Sequence, residues 1–281
     1  MDLIKRREQF NDYLDRSFFY FFNSAQDFIN LVGDIFIFGT DAIKFFLRKP
    51  FRFHELVAHM EFAGNKSVFI ICLTGLFTGM ALSFQIFLGF QIVNATSLVG
   101  STVALGITRE LGPVLTGLII SARAGGAMAA RLGTMRVTEQ IDALEVMGVD
   151  PKQYLVSPRV VACMISTPLL CGLFDFLAIF GSYFLCIHVL EMDSATFFDH
   201  IKGWLQPRHI FEGLFKSAVF GLVFGVICTH RGFFTKGGAA GVGEATNRGV
   251  VNSMVLVIVL DFFLSNLITI FYNLAGMGKA M

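Results

Sequence analysis

Residues 67–108 read SVFIICLTGLFTGMALSFQIFLGFQIVNATSLVGSTVALGIT, the longest segment of the chain without a charged side chain. It contains no Asp, Glu, Lys or Arg over 42 residues, whereas one membrane-spanning helix needs only about 20 apolar residues. A polar turn, Asn-Ala-Thr-Ser at residues 94–97, divides the stretch into two apolar runs. The segment 67–108 therefore predicts two membrane-spanning helices, and the second of them continues past Arg109 and Glu110.

Three more apolar runs follow in the rest of the chain, each with few charged residues. Together with the first two runs, they place predicted spans at about 67–92, 100–122, 160–190, 210–229 and 250–275. In lipid, a helix satisfies all of its backbone hydrogen bonds within one segment. The sequence therefore predicts an all-α integral membrane protein with five transmembrane helices.

The composition agrees with a membrane protein and excludes several other classes. Of 281 residues, 54% are hydrophobic and 15% are charged, against about 25% charged residues in globular proteins. These values exclude a disordered chain, a coiled coil and a disulfide scaffold. The net charge of +1 gives no indication of nucleic-acid binding. The five Cys lie in predicted spans, and neither they nor the six His show ligand spacing, so no metal site is predicted.

Residues 10–47 have a helical pattern but do not resemble a span. Apolar residues, many of them Phe, recur at steps of three and four, while Asp27, Asp34 and Asp41 recur every seven residues. A regular acidic stripe suits a helix that lies in the headgroup region, so we predict an N-terminal interfacial amphipathic helix. A soluble amphipathic helix packed on a partner is the alternative. Residues 1–60 are accordingly assigned to the cytoplasm and the interface.

The distribution of Lys and Arg predicts the orientation. With the N-terminus in the cytoplasm, 17 of the 22 basic residues lie on the cytoplasmic side, as the positive-inside rule requires. An odd number of spans then places the C-terminus outside. No cleavable signal peptide is expected, because residues 1–9 are rich in charge and no short apolar run with a cleavage site follows.

The loop between the second and third spans predicts a short amphipathic helix at 138–147. Thr138 is the expected N-cap, and Gly148 is expected to close the C-terminal end. Val137, Ile141, Leu144 and Met147 share one face, and the polar residues lie elsewhere: Glu139, Gln140, Asp142 and Glu145. Spacing alone favours a helix that only covers the loop over one that docks on a partner.

Glycine is concentrated in the loop at 232–249, which holds six Gly in 18 residues. A phosphate-cradling loop would need Gly-x-x-x-x-Gly-Lys-Ser/Thr before a helix, and the chain contains no such match. We therefore predict a flexible loop and no nucleotide site, so the energy for any active transport must come from another subunit. The Gly-x-x-x-Gly pairs at 75–79 and 221–225 predict close helix packing, either in a bundle or in a dimer.

Charged residues that would be costly in the bilayer lie within predicted spans, notably Arg109, Glu110, Asp175, Lys216 and Asp261. Each ionised group near the bilayer centre costs about 2.5–3.5 kcal/mol, so these groups must pair, neutralise or face a wet cavity. Arg109 and Glu110 point about 100° apart on a helix and need not pair with each other. Pro113 deprives the Arg109 carbonyl of its helical partner. The sequence leaves two interpretations of these charged residues open. They form structural ion pairs, or they line a polar cavity for a charged headgroup or ion.

Three segments in the middle of the chain resemble a known family: TRELGPVLT at 108–116, ARAGGA at 122–127 and LGTMRVTEQIDALEVMGVDP at 132–151. They are similar to the MlaE/YrbE permease family, the membrane subunits of MCE-type ABC transporters. The similarity continues at 157–159, 216–220, 241–246 and 260–264. It covers roughly residues 60–270, so 61–281 are assigned to an MlaE-like permease domain.

The resemblance implies a homodimer in the bacterial inner membrane. Family members work with a cytoplasmic ATPase, which binds ATP and Mg²⁺, and with a periplasmic MCE-domain protein. They move phospholipids or related lipids between the inner membrane and the outer envelope. The implied function of this chain is that of a transport subunit with no catalytic residue, no metal and no cofactor of its own.

The resemblance also implies roles for particular residues. The helix at 138–147 becomes the element that couples to the ATPase, through Glu139, Gln140, Asp142, Leu144, Glu145 and Met147. The lipid pathway is assigned to Arg109, Glu110, Lys216 and Asp261. Of these, Lys216 and Arg109 would meet a phosphate, while apolar residues of the first and fifth spans would hold acyl chains.

One position departs from this pattern. Where the family commonly has Ala-Glu before Leu-Gly-Thr-Met, this chain has Ala130 and Arg131, which reverses a charge near the ATPase side.

Asp175 has no family role. It supports one alternative function, an intramembrane enzyme with an aspartyl dyad of Asp175 and Asp261, although neither Asp lies in a protease-like motif. A non-transporting membrane scaffold is a further alternative.

Overall fold

The computed structural model describes residues 33–46, 48 and 53–274. Five helices in this part of the chain are long and apolar enough to cross a membrane. They are α1 (Phe53–Ile92), α2 (Thr96–Val137), α4 (Lys152–His188), α6 (Pro207–Phe233) and α7 (Gly238–Leu274). Two short helices connect them, α3 (Gln140–Val146) and α5 (Ser194–Trp204). The predicted all-α class and its five spans are confirmed.

The helices extend well beyond the predicted apolar spans. Helix α1 begins at Phe53, and α2 continues to Val137. Hydropathy detects only the part of a helix that suits hydrocarbon, whereas the small and polar residues at the ends of α2 and α7 are compatible with helix as well. The bilayer-crossing segment is therefore shorter than the helix that contains it.

The prediction of a flexible Gly-rich loop at 232–249 is wrong. Helix α6 ends at Phe233 and α7 begins at Gly238, so only residues 234–237 leave the helical conformation. The low helix propensity of glycine is outweighed by close packing between helices. A Cβ atom on Gly232, for example, would lie 2.6 Å from the carbonyl oxygen of Ala129 in α2.

Helix α4 is the central element of the bundle, and both Gly-x-x-x-Gly pairs face it. A Cβ atom on Gly79 of α1 would lie 1.9 Å from the carbonyl oxygen of Ala178. On the α6 side, a Cβ atom on Gly221 would lie 2.6 Å from the carbonyl oxygen of Cys163. The two pairs therefore bring α1 and α6 close to α4 within one chain.

Helices α3 and α5 lie at opposite ends of α4, and we call these ends of the bundle the α3 end and the α5 end. Asp193 caps α5 by accepting hydrogen bonds from the Thr196 N–H at 2.9 Å and the Thr196 hydroxyl at 2.7 Å. These two donors hold the pKa of Asp193 below its usual range. Phe197 of α5 is fully buried, and a Cβ atom on Gly100 would lie 2.8 Å from its ring. Helix α5 is thus packed on the first turns of α2.

The predicted N-terminal interfacial helix falls mostly outside the described residues, which include only 33–46 of its range. Residues 33–46 are helical. Phe36 and Ile37 in this segment are 72% and 60% exposed. An exposed apolar pair agrees with the predicted amphipathic character, while the interfacial location stays a prediction.

Candidate functional site

Lys216 of α6 is the centre of a charged cluster inside the bundle. Its side chain is 3% exposed, and its Nζ lies 2.8 Å from Glu110 Oε2 and 3.4 Å from Asp261 Oδ1. Nζ also donates to the Ser265 hydroxyl at 2.6 Å. We call Glu110, Lys216, Asp261 and Ser265 the Lys216 cluster. It joins α2, α6 and α7, and it brings together three of the four residues assigned to the lipid pathway.

The backbone of α2 takes part in the same cluster. Residues Ile107–Leu111 form a π-helical turn, a feature often found where a helix carries a function. Pro113 has no N–H to donate to the Arg109 carbonyl, and Lys216 Nζ donates to this oxygen at 2.8 Å. The carbonyl left without its helical partner, as the sequence indicated, is therefore satisfied by Lys216.

Arg109, the fourth residue of the predicted pathway, has a different partner. Its Nε lies 3.3 Å from Glu212 Oε2, and the side chains are 29% and 7% exposed. The expectation that Arg109 and Glu110 need not pair with each other is confirmed. The ion pair is made through Nε, and 29% of the Arg109 side chain stays exposed.

Sequence reasoning missed two residues of this site, Glu212 and Ser265. Glu212 lies inside the predicted fourth span and four residues before Lys216, which places both on one face of α6. That spacing is a signal that could have identified it. Ser265 carries no charge, and it lies four residues after Asp261.

A close contact between α2 and α6 allows Lys216 to reach the backbone of α2. A Cβ atom on Gly213 would lie 2.0 Å from the Thr108 carbonyl oxygen and 3.3 Å from Pro113 Cγ. Only glycine fits at such a separation. Gly213 lies three residues before Lys216, so this contact positions the lysine directly beside the π-helical turn.

A cavity of about 480 Å³ opens beside the cluster. It lies between the first half of α2 and the end of α5, and its lining residues are Leu98, Ser101, Thr102, Leu105, Gly106, Arg109, Glu110 and Trp204. Arg109 and Glu110 therefore face the cavity, while Lys216 lies behind Glu110. The cavity combines apolar walls with two ionisable groups, as binding sites for amphiphiles do.

Asp175 of α4 lies outside the Lys216 cluster. It is 6% exposed, and a Cβ atom on Gly112 would lie 1.9 Å from its Oδ1. Its Oδ1 has no hydrogen-bond partner in the described residues. Asp261, in contrast, pairs with Lys216. The two carboxylates contact different groups, and this arrangement does not favour the aspartyl dyad.

The loop helix α3 is shorter than predicted and is capped differently. It begins at Gln140 and follows Glu139, which has a left-handed φ of 59°. The predicted Thr138 cap is wrong, because the Thr138 hydroxyl donates instead to the Thr134 carbonyl of α2 at 2.9 Å. Gly148 has a φ of 76° and closes the helix as predicted, with its N–H 3.0 Å from the Glu145 carbonyl oxygen.

Helix α3 is fixed on one side and exposed on the other. Ile141 is fully buried, and Arg136 of α2 holds Asp142 in an ion pair at 2.5 Å. Asp142 therefore already has a partner within the chain, and Leu144 is half-buried. Four of the six residues assigned to coupling are exposed, together with Val146 at 89%: Glu139, Gln140, Glu145 and Met147.

Arg131, the position at which the charge is reversed, interacts with an aromatic ring. Its guanidinium lies 4.3 Å from the centroid of the Phe62 ring. Arg123 approaches the same residue and donates to the Phe62 carbonyl at 2.8 Å. A cation over a ring face is stabilised without an acidic partner, so the departure is accommodated within the chain.

Comparisons with known proteins place this architecture in a family. The family model described as Permease MlaE matches residues 56–267. A probable ABC transporter permease protein of Rickettsia bellii is 36% identical over 236 residues, which cover 84% of this chain and 91% of the relative.

Two other relatives have more specific names. The intermembrane phospholipid transport system permease protein MlaE of Haemophilus influenzae is 34% identical over 242 residues, or 85% of this chain and 92% of the relative. The chloroplastic protein TRIGALACTOSYLDIACYLGLYCEROL 1 of Arabidopsis thaliana is 36% identical over 220 residues, or 78% of this chain and 63% of the relative. With the family match and the five apolar helices, these similarities show that the chain belongs to the MlaE family of ABC transporter permeases.

Proposed function

We propose that this protein moves phospholipids between the inner membrane and the outer envelope of a bacterium. The 480 Å³ cavity supports this function most strongly, because it places Arg109 and Glu110 beside apolar walls inside an apolar bundle. The energy comes from a separate ATPase, and a periplasmic MCE-domain protein receives or delivers the lipid. The name of the Haemophilus influenzae relative supports a phospholipid as the substrate.

The geometry separates the roles of the two cations. Arg109 keeps one guanidinium nitrogen on Glu212 and can offer its terminal nitrogens to a headgroup phosphate, which it binds well because of its planar fork. Lys216 is already surrounded by Glu110 and Asp261, so its role is to neutralise these two acids. Leu98 and Leu105 provide apolar contacts for the acyl chains near the headgroup.

The Lys and Arg distribution supports an orientation with the N-terminus inside and the C-terminus outside. The α3 end then faces the cytoplasm and the ATPase, and the α5 end faces the periplasm. Lys216 lies nine residues after Pro207, or roughly 14 Å along α6 at 1.5 Å per residue. The cavity is thus in the periplasmic half of the bundle.

A second copy of the chain completes the site in this proposal. Glu110 is 43% exposed and Asp261 is 19% exposed, yet hydrocarbon cannot solvate ionised groups. Of α7, only Gly249, Ser253 and Val257 are buried. The rest of this helix is open to a partner. A homodimer would cover the acidic groups and enclose the cavity.

The coupling role of α3 is tested by reversing its exposed charges. We expect Glu139→Lys with Glu145→Lys to weaken association with the ATPase by roughly tenfold or more, because like charges across an interface are strongly unfavourable. Both side chains are exposed, so the bundle should fold normally. The measurement is a pull-down of the ATPase with the purified full-length chain.

The matched control is Asp199→Lys, which reverses an exposed acid on α5 at the other end of the bundle. It should leave the amount of captured ATPase unchanged. Equal capture by the wild type and the α3 variant would refute the coupling role. If even the wild type captures no ATPase, the non-transporting scaffold becomes the preferred function.

A further inference from the structure

A smaller cavity of about 150 Å³ lies at the α3 end, where α6 ends and α7 begins. Three cationic side chains line it, those of Arg231, Lys236 and Arg248, with Glu244 as the one acidic side chain in the lining. We call these four residues and this cavity the basic pocket. It is separate from the Lys216 cluster, because Arg231 follows Lys216 by 15 residues, or roughly 22 Å along α6.

Glycines create the shape of the basic pocket. Residues 234–237 make the whole connection between the two helices, and Gly237 and Gly238 have φ values of 92° and 69°. A Cβ atom on Gly241 would lie 1.8 Å from the Lys236 carbonyl oxygen. The backbone therefore folds tightly enough to bring Lys236 beside the first turn of α7, whose N-terminal N–H groups favour an anion.

The charges are not balanced among the described residues that line the pocket. Glu244 Oε1 lies 2.5 Å from Arg248 Nη2, so the one acidic side chain of the lining is already paired. Nε of Arg231 is buried and has no hydrogen-bond partner in the described residues. Lys236 is exposed. A buried, unsatisfied donor of a charged group is unfavourable unless a ligand completes it, and the excess of positive charge indicates that this ligand is an anion.

The surroundings indicate where the anion comes from. Phe234, which is 51% exposed, lines the pocket, and the apolar part of α7 starts directly after Arg248 with exposed residues such as Val251. The pocket therefore lies at the level where the bundle passes from an apolar to a polar surface. Basic pockets between transmembrane helices at this level bind anionic lipid headgroups.

We propose that the basic pocket binds the phosphate group of an anionic phospholipid in the leaflet at the α3 end. Arg231 and Lys236 provide the contacts, while Arg248 is already paired with Glu244. This lipid would bind at the α3 end of the bundle, and it is distinct from a lipid in the 480 Å³ cavity. The proposal does not depend on transport.

The test is native mass spectrometry of the full-length chain in detergent, titrated separately with phosphatidylglycerol and phosphatidylcholine. The wild type should retain phosphatidylglycerol in preference. Arg231→Gln with Lys236→Gln should reduce this preference about tenfold or more, because it removes two charge-assisted contacts to phosphate. Lys202→Gln, which neutralises an exposed cation on α5 at the other end, should leave the preference unchanged. Lys236→Gln alone, at an exposed position, guards against a loss caused by misfolding and should show a smaller reduction.

Inorganic phosphate as a competitor distinguishes the source of the anion. Retention that excess phosphate does not displace supports a lipid headgroup, whereas displacement supports free phosphate binding by the same residues. An equal preference for phosphatidylglycerol in the wild type and the double variant would overturn the proposal. A wild type with no preference for phosphatidylglycerol would also overturn it. Loss of the ATPase by the double variant in a pull-down would then indicate that the pocket binds an acidic protein surface.

Discussion

Replacing Lys216 with methionine is expected to lower the free energy of unfolding by about 3–5 kcal/mol, the usual effect of removing one partner from a buried ion pair. Lys216 is 3% exposed and neutralises Glu110 and Asp261. Methionine has a similar length but no charge, so two acids would remain in the membrane without a cation. We also expect phospholipid retention to fall further than expression does. Denaturation in detergent and lipid mass spectrometry of the purified chain measure the two effects.

A compensated variant separates a structural role from a role in lipid binding. Lys216→Met with Glu110→Gln and Asp261→Asn removes the cation together with both acids and should restore most of the stability. If Glu110 and Asp261 shape the lipid pathway, phospholipid retention stays low in this variant. Recovery of both stability and lipid retention would mean that the Lys216 cluster only locks the bundle.

Gly213→Ala is expected to be the most damaging single addition of a methyl group near the site. The new Cβ would lie 2.0 Å from the Thr108 carbonyl oxygen, so α6 must move away from the π-helical turn of α2. Overpacking of this kind costs about 3 kcal/mol when the backbone must shift. Because Lys216 follows one turn later, phospholipid retention should also decrease.

Gly172→Ala is the matched control, since it adds the same methyl group within α4. Its Cβ would have only Leu214 Cδ2 nearby, at 3.9 Å, so the unfolding midpoint should stay close to that of the wild type. Similar midpoints for Gly213→Ala and Gly172→Ala would contradict the close contact between α2 and α6. Thermal unfolding of the three proteins in one detergent is the measurement.

The membrane-spanning helices of this protein could be predicted from the sequence, because segments that lie in the hydrocarbon of a bilayer lack charge, as residues 67–108 do. The ends of the helices could not be predicted in this way. The segment 232–249 has the glycine content of a loop but is mostly helix, since its glycines serve close contacts between helices. Hydropathy indicates whether a side chain prefers lipid or water. It does not indicate whether the backbone of another helix lies in contact with that residue.

The partners of the intramembrane charges could likewise be predicted only in part. The sequence identified Lys216 and Asp261 as residues that must find partners, and the structure provides them. It did not reveal that Glu212 pairs with Arg109, because Glu212 follows the start of the predicted fourth span too closely to stand out. Pairing depends on how α2, α6 and α7 are rotated against each other, and a single sequence does not contain that rotation.

Purification of the full-length chain from its native membrane, followed by identification of bound proteins and lipids by mass spectrometry, tests the proposed transport function. We expect an ABC-type ATPase to co-purify and a phospholipid to be enriched over its level in the membrane. We also expect Arg109→Gln to reduce the enrichment while the ATPase stays bound, because Arg109 faces the cavity at the end of the bundle opposite to α3. A preparation with no associated ATPase and no enriched phospholipid would refute this function.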